Sequence, residues 1–315
     1  MDKRIEPANQ GKFIDPAVTA DGSARATVAL TRPTTLWFNT GTLCNITCEG
    51  CYIESSPTND RLSYLTVSEV ADYLDQIAER GWPVREIGFT GGEPFMNPDF
   101  LAMMRQSLAS GYEVLVLTNA MKPMQRPHVA AQLSRLIEEA GTRITLRVSL
   151  DHWTEEGHDA VRGAGSWAAT LEGVDWIAAQ SCKLTIAGRA RWQETEAEAR
   201  AGYAALFADR GWPVDAAHPG ALVIFPEMDL SVEVPEITTA CWGILHKSPE
   251  DVMCSSSRMV VKRKGERPSV AACTLLPYEA EFDMGHTLAE AERPVALNHP
   301  HCAKFCVLGG ASCSA

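Results

Sequence analysis

Six short apolar runs, separated by segments of helical periodicity, recur between residues 36 and 225. The runs are Leu36–Asn39, Glu86–Thr90, Glu113–Leu117, Ile144–Leu150, Lys183–Ala187 and Ala221–Phe225. Between the first two, Thr66 and Glu69 make a capping box, and Val70, Leu74 and Ile77 follow at helical spacing. Gly81 then supplies a left-handed stop. Helices are predicted likewise over Phe100–Leu108, Val129–Ala140, Trp167–Ala179 and Glu196–Ala208, with stops at Gly111, Gly141 and Gly211. Such alternation predicts an α/β fold on a parallel sheet. One echo supports repetition of the unit: Glu79-Arg-Gly-Trp-Pro-Val84 recurs as Asp209-Arg-Gly-Trp-Pro-Val214, both at a helix-to-strand junction. Duplication and convergence on a good turn explain it equally well.

Residues 1–33 are polar and aperiodic, with Pro7, Pro16 and Pro33, and read as an arm laid on the body. After about residue 230 the rhythm stops. Met259–Lys262 and Ser269–Ala272 flank Lys264-Gly265-Glu266, the pattern of a β-hairpin. The chain of 315 residues is long enough for a large core without disulfide staples. It has no apolar run long enough to span a bilayer and no secretory h-region, which predicts a cytoplasmic protein off the membrane. The formal net charge of −12 argues against a nucleic-acid partner, which calls for clustered Lys and Arg.

Ten cysteines in such a chain point to metal or redox chemistry. Cys44, Cys48 and Cys51 follow the first strand directly, so they lie beyond its carboxyl end, where α/β folds place their chemistry. A structural zinc site wants four closed ligands. Three thiolates without a fourth suit an iron–sulfur cluster with one iron left open.

Cys44-Asn-Ile-Thr-Cys48-Glu-Gly-Cys51-Tyr52 resembles the signature of the radical S-adenosylmethionine (SAM) enzymes. The second strand runs into Gly91-Gly92-Glu93-Pro94, which matches that family's GGE motif. Ser149-Leu-Asp151, His158-Asp159 and Arg162-Gly163 resemble the fourth-strand region of its sulfatase-maturase-like subgroup, except that His152 stands where glycine is usual. The resemblance implies a partial (β/α)6 barrel over residues 34–235. It implies a 4Fe-4S cluster on Cys44, Cys48 and Cys51, with SAM held by Tyr52, Gly91, Gly92 and Glu93, Thr118 and Asn119, Ser149, Asp151 and Arg189. Taken singly, Gly91-Gly92 and Thr118-Asn119 are also plain turns, Ser149 and Asp151 could serve local backbone, and Arg189 and Arg191 could be surface charges.

Cys254 and Cys273 bracket the hairpin, and Cys302-Ala-Lys-Phe-Cys306 follows. This resembles the twitch or shortened SPASM extension of radical SAM enzymes, and implies an auxiliary 4Fe-4S cluster on these four thiolates in residues 236–315. Zinc in the same four is the alternative. Cys313 could replace one of them, and Cys241 is left over. Cys182 reads as a core thiol, and His299 and His301 as cover for the cluster.

The implied chemistry is one-electron cleavage of SAM to methionine and a 5′-deoxyadenosyl radical, fed by a flavodoxin- or ferredoxin-type donor. The radical takes hydrogen from a substrate carbon, and the auxiliary cluster accepts an electron. Glu227 and Asp229, at the exit of the sixth strand, are candidate proton acceptors, or solvated carboxylates. The substrate is a small molecule or a peptide. Residues 1–33 look short for a leader-binding domain, which favours small-molecule dehydrogenation. Sulfur insertion through an open auxiliary iron is a further alternative, and a non-catalytic iron–sulfur or zinc protein leaves the GGE segment unexplained.

Overall fold

Apolar side chains at all six runs are buried in one sheet. The computed structural model describes residues 9–227 and 229–310. A short strand, β1 (Thr27–Val28), precedes β2 (Thr35–Asn39), β3 (Glu86–Thr90), β4 (Glu113–Thr118), β5 (Ile144–Ser149), β6 (Lys183–Ala190) and β7 (Leu222–Pro226). Each of β2 to β6 pairs in parallel with its successor. Crossovers run through α1 (Val67–Arg80), α2 (Phe100–Ala109), α3 (Lys122–Gln125), α4 (Pro127–Ala140), α5 (Glu155–Arg162), α6 (Ser166–Ala178) and α7 (Glu196–Arg210). The capping box at Thr66 and Glu69 is present, and Gly81 closes α1 at φ 63°. α5 was not expected. It is short and starts on Thr154, whose side chain accepts from Gly157 N.

The core is aromatic where β2 meets β3. Phe38 stacks on Phe89 with centroids 5.8 Å apart, and Phe89 meets Phe100 edge-on at 5.4 Å. Trp37 lies opposite Gly88 in register, and a Cβ on Gly88 would fall 2.4 Å from the indole. The glycine is there so that the indole can lie flat on the neighbouring strand.

The repeated hexapeptide turns out to be a docking device. Gly81 and Gly211 close their helices in nearly the same left-handed conformation. In the first copy Arg80 Nη2 (2.5 Å) and Trp82 Nε1 (3.1 Å) donate to Glu292. In the second copy Arg210 and Trp212 Nε1 (2.8 Å) donate to Asp175. Each copy grips one carboxylate on a different element, so the shared sequence serves a shared local geometry.

The hairpin does more than fold on itself. Its first strand, β8 (Ser257–Val261), lies parallel to β2, with Thr35 opposite Ser257 and Phe38 opposite Val260. β9 (Ser269–Ala271) pairs antiparallel to β8. The sheet order is therefore β7-β6-β5-β4-β3-β2-β8-β9. Pairing of this kind covers the free edge that β2 would otherwise expose.

The polar arm is ordered by long-range bonds from residue 9 onward. The Asn9 side chain binds Leu230 O, Val232 O and Val234 N. Buried Arg25 pairs with Glu236 at 2.6 Å, and Glu236 also accepts from Phe13 N and Ala20 N. β1 pairs with β10 (Val295–Ala296). Among the described residues no helix is long and apolar enough to cross a membrane.

Candidate functional site

Five of the six barrel strands, β3 to β7, send residues from their carboxyl ends into one cavity, and the loop after β2 closes over it. Cys44, Cys48 and Cys51 line it together with Gly91 and Gly92 after β3, Thr118 at the end of β4 and Asn119 after it, Ser149 at the end of β5 and Asp151 after it, Arg189 from β6, and Phe225 and Pro226 from β7. Tyr52 lines it too. The residues expected to bind SAM and a cluster are thus brought together, except that Glu93 sits behind the wall.

Burial pushes the Cys44 thiol up to about 12 and raises Cys48 as well, with Arg162 opposing the shift at Cys48. Thiolates in so dry a place need positive charge beside them, which a metal core supplies and which favours their deprotonation. The donor set fits a cluster held on three sulfurs.

The two glycines answer first to the cysteine loop. Gly91 has φ 140°, and a Cβ there would meet Gly41 O at 2.6 Å. A Cβ on Gly92 would fall 2.2 Å from Leu43 O. Gly92 N donates to Gly41 O and Glu93 N to Leu43 O, at 2.8 and 3.1 Å. The segment therefore packs backbone to backbone on the loop that carries Cys44. Glu93 is buried behind it. Its carboxylate accepts from Thr118 Oγ1 (2.9 Å), Asn119 N (2.9 Å) and Phe95 N (3.3 Å). Asn119 Nδ2 in turn donates to Asn45 Oδ1 at 2.9 Å. A chain of bonds thus links the ends of β3 and β4 to the cysteine loop.

Burial outweighs these donors and pushes the Glu93 carboxyl up from 4.5 to about 7. An acid raised on folding stabilises most when protonated, below its unfolded value. Between the two values the folded state holds more protons, so stability falls as pH rises through that window, by roughly 3 kcal/mol in total. Urea unfolding of the metal-free protein at pH 5 and pH 8 should show that extra loss in the wild type and not in Glu93→Gln. Equal slopes in the two proteins would remove the effect.

Asp151 is 3% exposed, and Arg162 grips it through Nε (2.7 Å) and Nη2 (3.3 Å). Burial alone would raise the Asp151 carboxyl, but the guanidinium wins and holds it below the usual carboxylate range. Arg162, the last residue of α5, also lines the cavity. Sequence reasoning quoted it within a motif and assigned it no role. The signal was available, because Thr154, Glu155 and Glu156 open a short helix and Arg162 closes it. Asp159 of the same motif caps α6, accepting from Gly165 N, Ser166 Oγ and Trp167 N.

Arg189 spans the cavity rim. Its Nη2 binds both oxygens of Glu227, at 2.9 and 2.7 Å, and its Nη1 donates to Glu49 O at 3.0 Å. Gly50 makes room: a Cβ there would stand 2.9 Å from Nη2. Asp229 is exposed and accepts from Ser231 N and Oγ. Arg191 pairs with Glu49.

A second cavity is lined by Cys254, Cys273, Cys302 and Cys306, with an otherwise apolar wall and His301. The hairpin register brings its two ends together, and a π-helix, Cys302–Leu308, carries the last two cysteines. None of the four forms a disulfide. Arg258, buried beneath, donates to Cys254 O (2.6 Å), Ser257 O and Ala291 O. Burial, then repulsion from Cys273, pushes the Cys254 thiol up to about 12. Among the described residues no three His, Cys, Asp or Glu side chains stand close enough for one metal ion. A four-iron cluster sets its ligand sulfurs at the corners of a larger body, and a shared cavity of four thiols suits that body. Cys241 lies apart, accepting from Thr238 N and bonded to its hydroxyl at 3.4 Å. Cys182 packs half-buried on the core, and Cys313 lies outside the described residues.

Comparison with known proteins agrees with this fold. Residues 38–188 match the model of the Radical SAM superfamily. It is 32% identical over 136 residues to mycofactocin maturase MftC of Mycobacterium ulcerans, covering 43% of this chain and 34% of that protein. It is 30% identical over 133 residues to the AdoMet-dependent heme synthase of Methanosarcina barkeri (42% and 35%). It is 28% identical over 145 residues to the subtilosin biosynthesis protein AlbA of Bacillus subtilis (46% and 30%). The chain thus spans about a third of the length of these relatives. Streptococcus suis SuiB bound to S-adenosylmethionine shares the fold at TM-score 0.58 and 12% identity, over 81% of this chain and 63% of that one. The AdoMet-bound structure of anSMEcpe does so at 0.56 and 15%, over 82% and 77%. Strands β2 to β7 with their crossover helices accordingly form a partial (β/α)6 barrel.

Proposed function

We propose that this chain is a radical SAM enzyme that oxidises or modifies a substrate C–H bond and carries an auxiliary iron–sulfur cluster. The observation that carries the reading is the convergence of three thiols, one buried and two half-buried, and the ends of five parallel strands on one cavity. Cys44, Cys48 and Cys51 would hold a 4Fe-4S cluster, which, reduced by a flavodoxin- or ferredoxin-type donor, would supply the electron for reductive cleavage of SAM ahead of hydrogen abstraction from the substrate. The chain's own residues hold and shield. Gly91 and Gly92 let the wall close on the cysteine loop, while Glu93 braces Thr118 and Asn119 from behind. Asp151, Arg162 and Arg189 place fixed charge beside the site, and Ser149 and Tyr52 complete the SAM side. Of the two candidate proton acceptors, Glu227 is the nearer to the cavity, through its ion pair with Arg189, and would take the substrate proton only on release from that arginine, while Asp229 is exposed and bonded to Ser231.

Cys254, Cys273, Cys302 and Cys306 would hold the auxiliary cluster as electron acceptor. The far wall of the first cavity, Ile53, Leu275, Phe225 and Phe305, is apolar, and the charged residues lining it are already paired. An uncharged substrate group fits there. Small-molecule dehydrogenation satisfies this. Modification of a peptide side chain is the second reading, favoured by the maturase and bacteriocin-biosynthesis relatives and by the likeness to SuiB solved with its precursor peptide. Anaerobic reconstitution, reduction and addition of SAM should give about eight irons per chain and 5′-deoxyadenosine. Protein that binds zinc in place of iron, or leaves SAM whole, would end the proposal.

A further inference from the structure

The two cavities have one lining residue in common, Leu275. It follows Cys273 by two positions and is 3% exposed. Phe305 lines the first cavity with it. On the π-helix it lies between Cys302 and Cys306, yet it lines the first cavity while those two cysteines line the second. The wide winding of a π-helix brings residues four apart close to one line and turns the intervening one aside. Phe305 is held there by stacking on Phe225, with centroids 5.4 Å apart.

We propose that Leu275 is a septum between the substrate cavity and the auxiliary thiolate site, with Phe305 as its abutment. The inference rests on the reading of that second site as a cluster site. One apolar side chain keeps the two sites within a residue's width of each other. It also excludes water and small solutes that enter the first cavity from the second. Leu275 is on this view a positioning residue, and its role shows in the exposure of the second site.

The test uses full-length protein with Cys44, Cys48 and Cys51 all replaced by Ala, so that only the second site retains a cluster. Ferricyanide is the probe, and the loss of cluster absorbance is followed anaerobically. Leu275→Ala should bleach about ten-fold faster than the parent, because a truncated buried leucine leaves a cavity. Leu275→Met, which keeps the volume, should bleach at the parental rate. Leu276→Ala is the control, since Leu276 is as buried and lines the second cavity alone. If Leu275→Ala bleaches no faster than Leu276→Ala, general loosening explains the result and the septum is refuted. If Leu275→Met bleaches as fast as Leu275→Ala, it is refuted too. Should the parent retain no iron, the auxiliary-site reading itself fails and takes the septum with it.

Discussion

Cys48→Ala, reconstituted anaerobically in the full chain, is expected to lose about four irons and to form 5′-deoxyadenosine at least about a thousand-fold more slowly than the wild type. The reason is the small number of ligands. A site on three sulfurs has none to spare, and among the described residues the cavity around Cys48 is lined by no other thiol than Cys44 and Cys51. Asp151 is gripped by Arg162 and Glu227 by Arg189, so neither carboxylate is free to substitute. The second site should keep its iron, because its four cysteines line a separate cavity. Iron analysis and product chromatography on the same sample decide the matter. A variant that retained full iron and full cleavage would show that the three thiols are not the ligands.

Arg162→Met is expected to destabilise the metal-free protein by about 3–5 kcal/mol, because it leaves the Asp151 carboxylate buried and uncompensated. The pair sits inside the wall, with side-chain exposures of 11% and 5%. Replacing both partners, in Arg162→Met with Asp151→Leu, should recover a large part of the loss, since no lone charge then remains. The pH dependence has a definite sign. The Asp151 carboxyl is held low in the folded state, so its contribution is present above the unfolded value of about 3.8 and is lost as pH falls through the lower folded value. Urea unfolding at neutral pH measures the single and double variants. A single variant as stable as the wild type would mean that the pair is solvated and not a structural element of the wall.

The six strands and the long helices were legible because their signals are local. Val, Ile, Leu and Phe crowd into runs of about five, and Thr66 with Glu69 and Gly81 mark both ends of α1. α5 escaped because it is short and carries Gly157 and His158 in its middle. The echo of Arg-Gly-Trp-Pro was visible as a repeat. Its meaning was not, since the carboxylates it grips, Glu292 and Asp175, lie far along the chain from their partners. The parallel pairing of β8 with β2 had no signal either: the hairpin reads the same whether it stands alone or extends a sheet.

The alternation of apolar runs with helical segments was enough to give the α/β class, and cysteine spacing with the order of the motifs gave the loop that bears three thiols and the family resemblance. These depend on residues within a few positions of one another, where covalent geometry and periodicity leave little choice. Only the tertiary structure decided that Glu93 braces the wall from behind, that Arg162 and Arg189 answer Asp151 and Glu227, and that Leu275 stands between two cavities. Those outcomes depend on strand register and on side chains meeting across the sheet, and packing between distant segments is set by the whole chain at once.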